Sequence, residues 1–511
     1  MRARTVSTVR VAAGVAGLLL FAGAAFAQAR LDVAPAGMPA ARAAPVSVTG
    51  LAAPDAPVRR IDLGVPGPAE RAQLAALNAA PVTSRLPADA DPGKSRPLAI
   101  GFPRTLPTDS RSIDLASLAW QVLPASNRAT RIEVVSRGAA ALRLSLAVSA
   151  AAPDLVLRFA STEPSAAVHG PYAARSVAAA VARHGAFWSP VIEGEVVIVE
   201  IVAAADAMAG DVALRLEAVS HLAVEPPALA SGDPKRVQDI GRSGACNVDI
   251  ACELPEAALE SAARSVGKLV FSNAAGNTFL CSGTLVNDAI ASNIPYMHAA
   301  AHCIAGAFEA STINVYWHFR AQSCRSLAVP PYVLQTGGAA LLARDPDFDW
   351  ALLRLNAPPP SGVVFAGWSG ALVPTGAAAT GLHHPSGDLE KVSRGSTPGY
   401  YTFSDGSSFV QMQWRSGTTE PGSSGSGLFT LHASGSYYEL RGGLFGGAAS
   451  CANPQGIDYY SRFDHMLAAT QQYLVPQVAA PAEVPLLAPA ALAALAATVA
   501  AAAAGALRAR D

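Results

Sequence analysis

No cysteine occurs in the first 245 residues of this 511-residue chain, and no C-x-x-C pair occurs anywhere in it. The second absence argues against a paired-thiolate zinc site, and neither a metal nor an organic cofactor is expected. Charge of one sign is lacking too. With a formal net charge of −1, nothing favours nucleic acid or an anionic surface as the partner. Hydrophobic residues make up 51%, but much of that is alanine gathered at the two ends. The length exceeds one ordinary domain and suggests roughly three.

Residues 1–27 read as a secretory signal. Arg2, Arg4 and Arg10 precede an apolar stretch from Val11 to Phe26, and Ala25-Phe26-Ala27 is a small-x-small cleavage site. The mature protein is therefore expected outside the reducing cytoplasm, where cysteines can pair. All six, Cys246, Cys252, Cys281, Cys303, Cys324 and Cys451, lie within 206 residues and mark one disulfide-stapled unit. Spacing alone does not choose their pairing.

Residues 28–99 are rich in alanine and proline with little periodicity, and are expected as an extended arm. Across 100–225 short apolar runs alternate, as in Leu142-Arg143-Leu144-Ser145-Leu146 and Leu155-Val156-Leu157-Arg158-Phe159, which predicts a β-sandwich-like pro-domain. Residues 226–242 read as an exposed linker with processing points at Lys235, Arg236 and Arg242. The cysteine-bearing unit, 243–474, is expected to be mainly β. Beyond it, 475–511 holds an apolar run from Val484 to Leu507 followed by Arg508 and Arg510. Such a run can span a bilayer, with its basic end on the cytoplasmic side. It resembles the tripartite bacterial sorting signals of the PEP-CTERM and IPTL-CTERM kind, so engagement of a membrane or a sorting protease is expected there.

Three fragments carry chemistry: Ala300-Ala301-His302-Cys303, Asp349-Trp350-Ala351-Leu352-Leu353, and Thr419-Glu420-Pro421-Gly422-Ser423-Ser424-Gly425-Ser426. His302 is the candidate base, Asp349 its orienting acid and Ser424 the nucleophile, separated by 47 and 75 residues. The order His, Asp, Ser is that of chymotrypsin-type proteases, whereas the same geometry arises on other folds in other orders. Position 426 is serine, so this is not the Gly-x-Ser-x-Gly elbow of α/β-hydrolases. His298, Asp345, Asp347, Ser423 and Ser426 are the competing side chains. Cys303 is expected to tether the histidine loop through Cys281. The N–H groups of Gly422 and Ser424 are expected to form an oxyanion hole. The run Gly442-Gly443-Leu444-Phe445-Gly446-Gly447 suits a strand that pairs with an extended substrate backbone.

These fragments, with Cys246-Asn247-Val248-Asp249-Ile250-Ala251-Cys252, Val315-Tyr316-Trp317, Ser323-Cys324-Arg325 and His383-His384-Pro385, resemble the secreted bacterial lysyl endopeptidases of the trypsin-like superfamily. The resemblance covers residues 243 to about 470. It implies a chymotrypsin-like double β-barrel and the pairings Cys246–Cys451, Cys252–Cys324 and Cys281–Cys303. It also implies that Asp458 is the acid at the base of the substrate pocket, beside Phe445, Gly446 and Gly447. Phe445 stands where lysine-specific members carry histidine, with Tyr400, Tyr401 or Phe403 available as its aromatic neighbour. The expected substrates are thus proteins or peptides cut after lysine, with arginine as a second residue. Ser423 takes the place of the aspartate that captures a new N-terminus in trypsin-like zymogens, so that ion pair is not expected. Residues 28–242 are expected to be a pro-segment. An inactive surface-binding protein on a protease scaffold and an esterase are the alternatives; a complete His, Asp and Ser set argues against the first, and Asp458 with the glycine strand against the second.

Overall fold

A computed structural model describes residues 32–39, 50–79, 86–87, 90–148, 155–162, 167–204, 213–223, 243–326 and 332–476. The signal segment, the linker 226–242 and the apolar C-terminal run lie outside the described residues. No helix among the described residues is long and apolar enough to cross a membrane.

The alternating runs form two sheets. In one, Val58–Asp62 runs parallel to Arg128–Val135, followed by Val196–Ala203, Leu155–Ala160 and His169–Ala173. In the other, Ala141–Val148 pairs Ala213–Leu222, which pairs Leu98–Arg104. Period-two alternation sends Leu142, Leu144 and Leu146 inward against Ile132, Val134, Leu157, Phe159 and Val199, one shared core between the sheets. Arg143, on the opposite face of its strand, is nevertheless fully buried. Its guanidinium donates to Ser189 O, Ser272 Oγ and Thr312 O at 3.2, 2.9 and 2.7 Å. Burial lowers its pKa to about 9. That face packs on the following domain rather than on solvent.

The sheet does not stop at the domain boundary. Leu98–Arg104 also pairs Thr278–Val286, joining the sandwich to the first barrel of the cysteine-bearing unit. There Val266–Ser272, Thr278–Val286, Tyr296–Ala299, Asn314–Trp317, Ala339–Asp345 and Trp350–Leu355 curl around Leu269, Phe271, Met297, Trp317 and Leu353. The second barrel is a closed ring: Tyr438–Gly447, Gly427–Leu431, Ala378–His383, Lys391–Thr402, Ser408–Ser416 and Ile457–Tyr460, the last returning to the first. Its core includes Met412, Trp414, Leu428, Leu444 and Tyr460. Helix Phe463–Leu474 closes the unit. The architecture is mainly β throughout, a sandwich followed by a double barrel. The cysteines pair as Cys246–Cys451, Cys252–Cys324 and Cys281–Cys303.

The described parts of residues 28–99 differ from the expected extended arm. Asp32–Val33 and Ala36–Gly37 pair with strands of the double-barrel unit, and Val58–Asp62 belongs to the sandwich. Pro68–Ala79 is a helix. Its start signals were present: proline in the first position, and Glu70 accepting from Gly67 N at 2.8 Å. The abundant alanine there reflects helix propensity rather than disorder.

Candidate active site

Each expected chemical residue lies close to one end of a barrel strand. His302 follows Tyr296–Ala299, and Asp349 immediately precedes Trp350–Leu355. These two strands are neighbours, so their ends meet. Asp349 Oδ2 lies 2.8 Å from His302 Nδ1, and Oδ1 accepts from His302 N at 2.8 Å. Asp349 is 1% exposed and holds a positive φ of 51°. Two bonds from one buried carboxylate fix the ring and leave Nε2 as the free nitrogen. That atom has no hydrogen-bond partner.

The competing residues are placed elsewhere. His298 is buried inside its strand, and Asp345 accepts from the N–H groups of Asp347 and Phe348 in a turn. Ser423 bonds His383.

Ser424 comes from the second barrel's loop before Gly427–Leu431, and it is fully buried. What buries it is the chain's own N-terminal part. Its Oγ donates to Lys94 O at 3.0 Å and lies 3.4 Å from Arg96 O. Lys94 belongs to a short 3₁₀ turn, Pro92–Ser95, begun by Asp91, whose carboxylate accepts from Gly93 N at 2.8 Å. Its side chain runs into a closed pocket. There Nζ meets Asp458 Oδ1 at 2.6 Å and Ala449 O at 2.7 Å, with both side chains at 0% exposure. The other carboxylate oxygen, Asp458 Oδ2, is taken by Trp414 Nε1 and Thr419 Oγ1, each at 2.7 Å.

The glycine strand lines this segment. Asp91 N donates to Gly447 O at 2.9 Å as an isolated antiparallel bridge. A Cβ on Gly446 would come within 2.8 Å of Leu86 Cδ1 and 3.3 Å of the Lys94 C and Ser95 N atoms, so a side chain there would crowd the bound peptide. Phe445 lies 6.2 Å from the His302 ring. Of the neighbours expected for Phe445, Phe403 meets it edge-on at 6.4 Å, but the stacked partner is Phe409 at 4.9 Å. Tyr400 instead lies under Arg462, and Tyr401 packs on Phe403 and Tyr459.

Sequence reasoning missed Lys94, Trp414 and Ala449 as pocket groups. One signal for Lys94 existed: the chain has only four lysines, Lys94, Lys235, Lys268 and Lys391.

Two β-barrels that bring a serine, a histidine and a buried aspartate to their junction, next to a pocket that accepts a side chain, define a serine endopeptidase. Residues 240–461 match the lysyl endopeptidase C-terminal domain, and residues 62–223 match the lysyl endopeptidase N-terminal domain. A lysyl endopeptidase of Pseudomonas aeruginosa is 33% identical over 406 residues, covering 75% of this chain and 83% of that protein. The chain belongs to the lysyl endopeptidase family. Among solved structures, an HtrA-type protease, AlgW, with a tripeptide is 20% identical at a TM-score of 0.30, covering 42% of this chain and 62% of that one. The active form of the Rv3671c protease from M. tuberculosis is 15% identical at 0.28, covering 44% and 86%.

Proposed function

We propose that this chain is the pro-form of an extracytoplasmic serine endopeptidase that hydrolyses peptide bonds after lysine, using His302, Asp349 and Ser424. The observation that carries the reading is Lys94, whose ammonium fills the pocket over Asp458. In the working enzyme, His302 Nε2 takes the Ser424 proton as Oγ bonds to the carbonyl carbon. The C–N bond then breaks, and the same proton goes to the leaving amine. Water then gives a proton to His302 as its oxygen bonds to the acyl carbon, the bond from that carbon to Ser424 Oγ breaks, and the proton returns to Oγ as the acid leaves. The Gly422 and Ser424 N–H groups receive the negative oxygen.

Lysine is favoured over arginine because only one oxygen of Asp458 faces the pocket. A guanidinium fork binds best to two oxygens, whereas an ammonium needs one. The distribution of lysines supports the same preference. Lys268 and Lys391 are buried, Lys94 is in the pocket, and Lys235 falls in the linker. Arginines such as Arg137 and Arg215 have largely exposed side chains. A lysine-cutting enzyme thus spares its own folded domains and can separate them at Lys235.

The bound pro-segment is held without being cut. Lys94 O accepts from Ser424 Oγ, and neither the Gly422 nor the Ser424 N–H donates to it. The serine hydroxyl therefore points at the carbonyl oxygen rather than at His302. Three disulfides suit an oxidising compartment. The C-terminal run is proposed as a sorting tail, tested by cell fractionation with and without residues 475–511.

The deciding experiment digests an unfolded protein with the processed enzyme and maps the cuts by mass spectrometry, beside Ser424→Ala. Cuts after lysine that vanish in the variant are expected. Cuts after other residues would reject the pocket, and full activity in Ser424→Ala would reject the nucleophile.

A further inference from the structure

The turn His383-His384-Pro385-Ser386 takes no part in the chemistry above, yet it supports the nucleophile loop from beneath. His383, Ser393 and Ser423 are all fully buried. Ser393 Oγ donates to Thr418 O at 2.7 Å, so it accepts from His383 Nε2 at 3.0 Å. That leaves His383 Nδ1 as the acceptor for the Ser423 hydroxyl at 2.8 Å. Ser423 Oγ in turn accepts from Glu420 N at 3.2 Å. One neutral tautomer satisfies every group in the chain. Burial, reinforced by His384, Lys94 and Lys391, holds His383 well below the usual histidine range.

The carbonyls of the loop are pinned as well. Pro421 O accepts from Ser386 N at 2.7 Å, and Ser423 O from Ser426 N at 3.0 Å. Ser386 reaches this position with a positive φ of 53°. A trans peptide points its N–H away from its C=O. Fixing those two carbonyls therefore turns the Gly422 and Ser424 N–H groups to the opposite side, where neither has a partner. Ser282 holds the remaining carbonyls, its Oγ donating to Gly422 O at 3.1 Å and its N to Ser424 O at 2.8 Å. Glu420 accepts from Ser386 Oγ at 2.8 Å and from Gly244 N at 2.7 Å, so the segment after the linker is docked before any cut.

We propose that His383 and Ser386 are positioning residues that keep the Gly422–Ser424 loop ready for an oxyanion in the uncut chain, replacing an N-terminal ion pair with an uncharged buried network. The inference rests on the serine endopeptidase reading above. Activation then requires the site to be vacated, not the loop to be rebuilt.

The test measures kcat per titrated active site for processed Ser423→Ala and His383→Phe. It also measures their affinity for a lysine-ended peptide aldehyde, whose serine adduct carries an oxyanion, and for lysine amide, which carries none. Expected is a fall of about 10- to 100-fold in both kcat and aldehyde affinity, smaller than outright loss of a hole donor, with KM and amide affinity within about twofold. Unchanged kcat and aldehyde affinity in Ser423→Ala would overturn the proposal, as would an equal loss of amide binding. If the variants do not fold, the processed enzyme carrying a two-residue N-terminal extension serves instead. It should keep its kcat, and a loss of about tenfold would show that a free N-terminus is needed. Ser424→Ala is measured alongside. Activity surviving there sinks the underlying reading, whereas an inert Ser424→Ala with a fully active Ser423→Ala sinks only the positioning role.

Discussion

Lys94 Nζ and Asp458 Oδ1, 364 residues apart in sequence, meet at 2.6 Å with both side chains wholly buried. A desolvated pair of this kind is costly to break, because removing one partner leaves the other charge without compensation. The pair therefore joins the N-terminal part to the pocket tightly while the chain is whole. Lys94→Ala should free the site. With Lys235→Ala, Arg236→Ala and Arg242→Ala present to keep the chain uncut, Ser424 should react with a fluorophosphonate at least about tenfold faster than in the chain that keeps Lys94. Equal labelling rates would show that Lys94 does not close the site.

Asp458→Asn tests the same contact from the other side. The amide keeps the volume and can still accept from Trp414 Nε1 and Thr419 Oγ1, but it removes the charge opposite the ammonium. Loss of a buried charge partner should lower kcat/KM for lysine peptides by roughly 10²- to 10³-fold. Cleavage of norleucine analogues should change little. A similar fall for both substrates would mean that Asp458 supports the pocket wall rather than reading the lysine.

The candidate groups at the barrel junction were legible in sequence because each is local: Ala-Ala-His-Cys, Asp before an apolar strand, and a glycine-rich serine turn. The sandwich was legible for a similar reason, since alternation at Leu142–Leu146 is a short-range pattern. What occupied the site was not. Lys94 lies in a segment whose proline and alanine content masked both the Pro68–Ala79 helix and the Pro92–Ser95 turn, and its partner is hundreds of residues away. Arg143 shows the same limit from another side. Its buried position follows from packing between domains, which no local pattern encodes.

His298, His383 and His384 are expected to make the protease domain sensitive to acid, and His318 and His465, also lowered by burial, add to the effect. Burial lowers His298 to about 4 and His384 to about 3, and holds His383 well below its ordinary value. Each folded-state pKa lies under the unfolded value of about 6.5, so the unfolded chain binds more protons below that pH. Stability is therefore complete above about pH 6.5 and is lost as pH falls toward about 4, by roughly 3 kcal/mol for each of His298 and His384. Urea unfolding at a series of pH values should show this slope. His384→Phe, whose ring would stack on Phe319 as the imidazole does, should flatten it. An unchanged slope would assign the acid sensitivity to other groups.

The Cys281–Cys303 disulfide ties two parts of the site together. Cys303 adjoins His302, and Cys281 adjoins Ser282, whose N and Oγ hold the carbonyls of Ser424 and Gly422. The bridge thus sets the distance between His302 and the loop bearing Ser424. It closes a loop with a sequence separation of 22, for which the entropic model gives about 3 kcal/mol of stabilisation. The double variant Cys281→Ala/Cys303→Ala should lose about that much in urea unfolding and, where folded, should lower kcat by about tenfold or more with little change in KM, because misplacement of the reacting groups affects turnover first. Loss of stability with kcat intact would leave the bridge a purely structural staple, and the alignment of His302 with Ser424 would then rest on Asp349 alone.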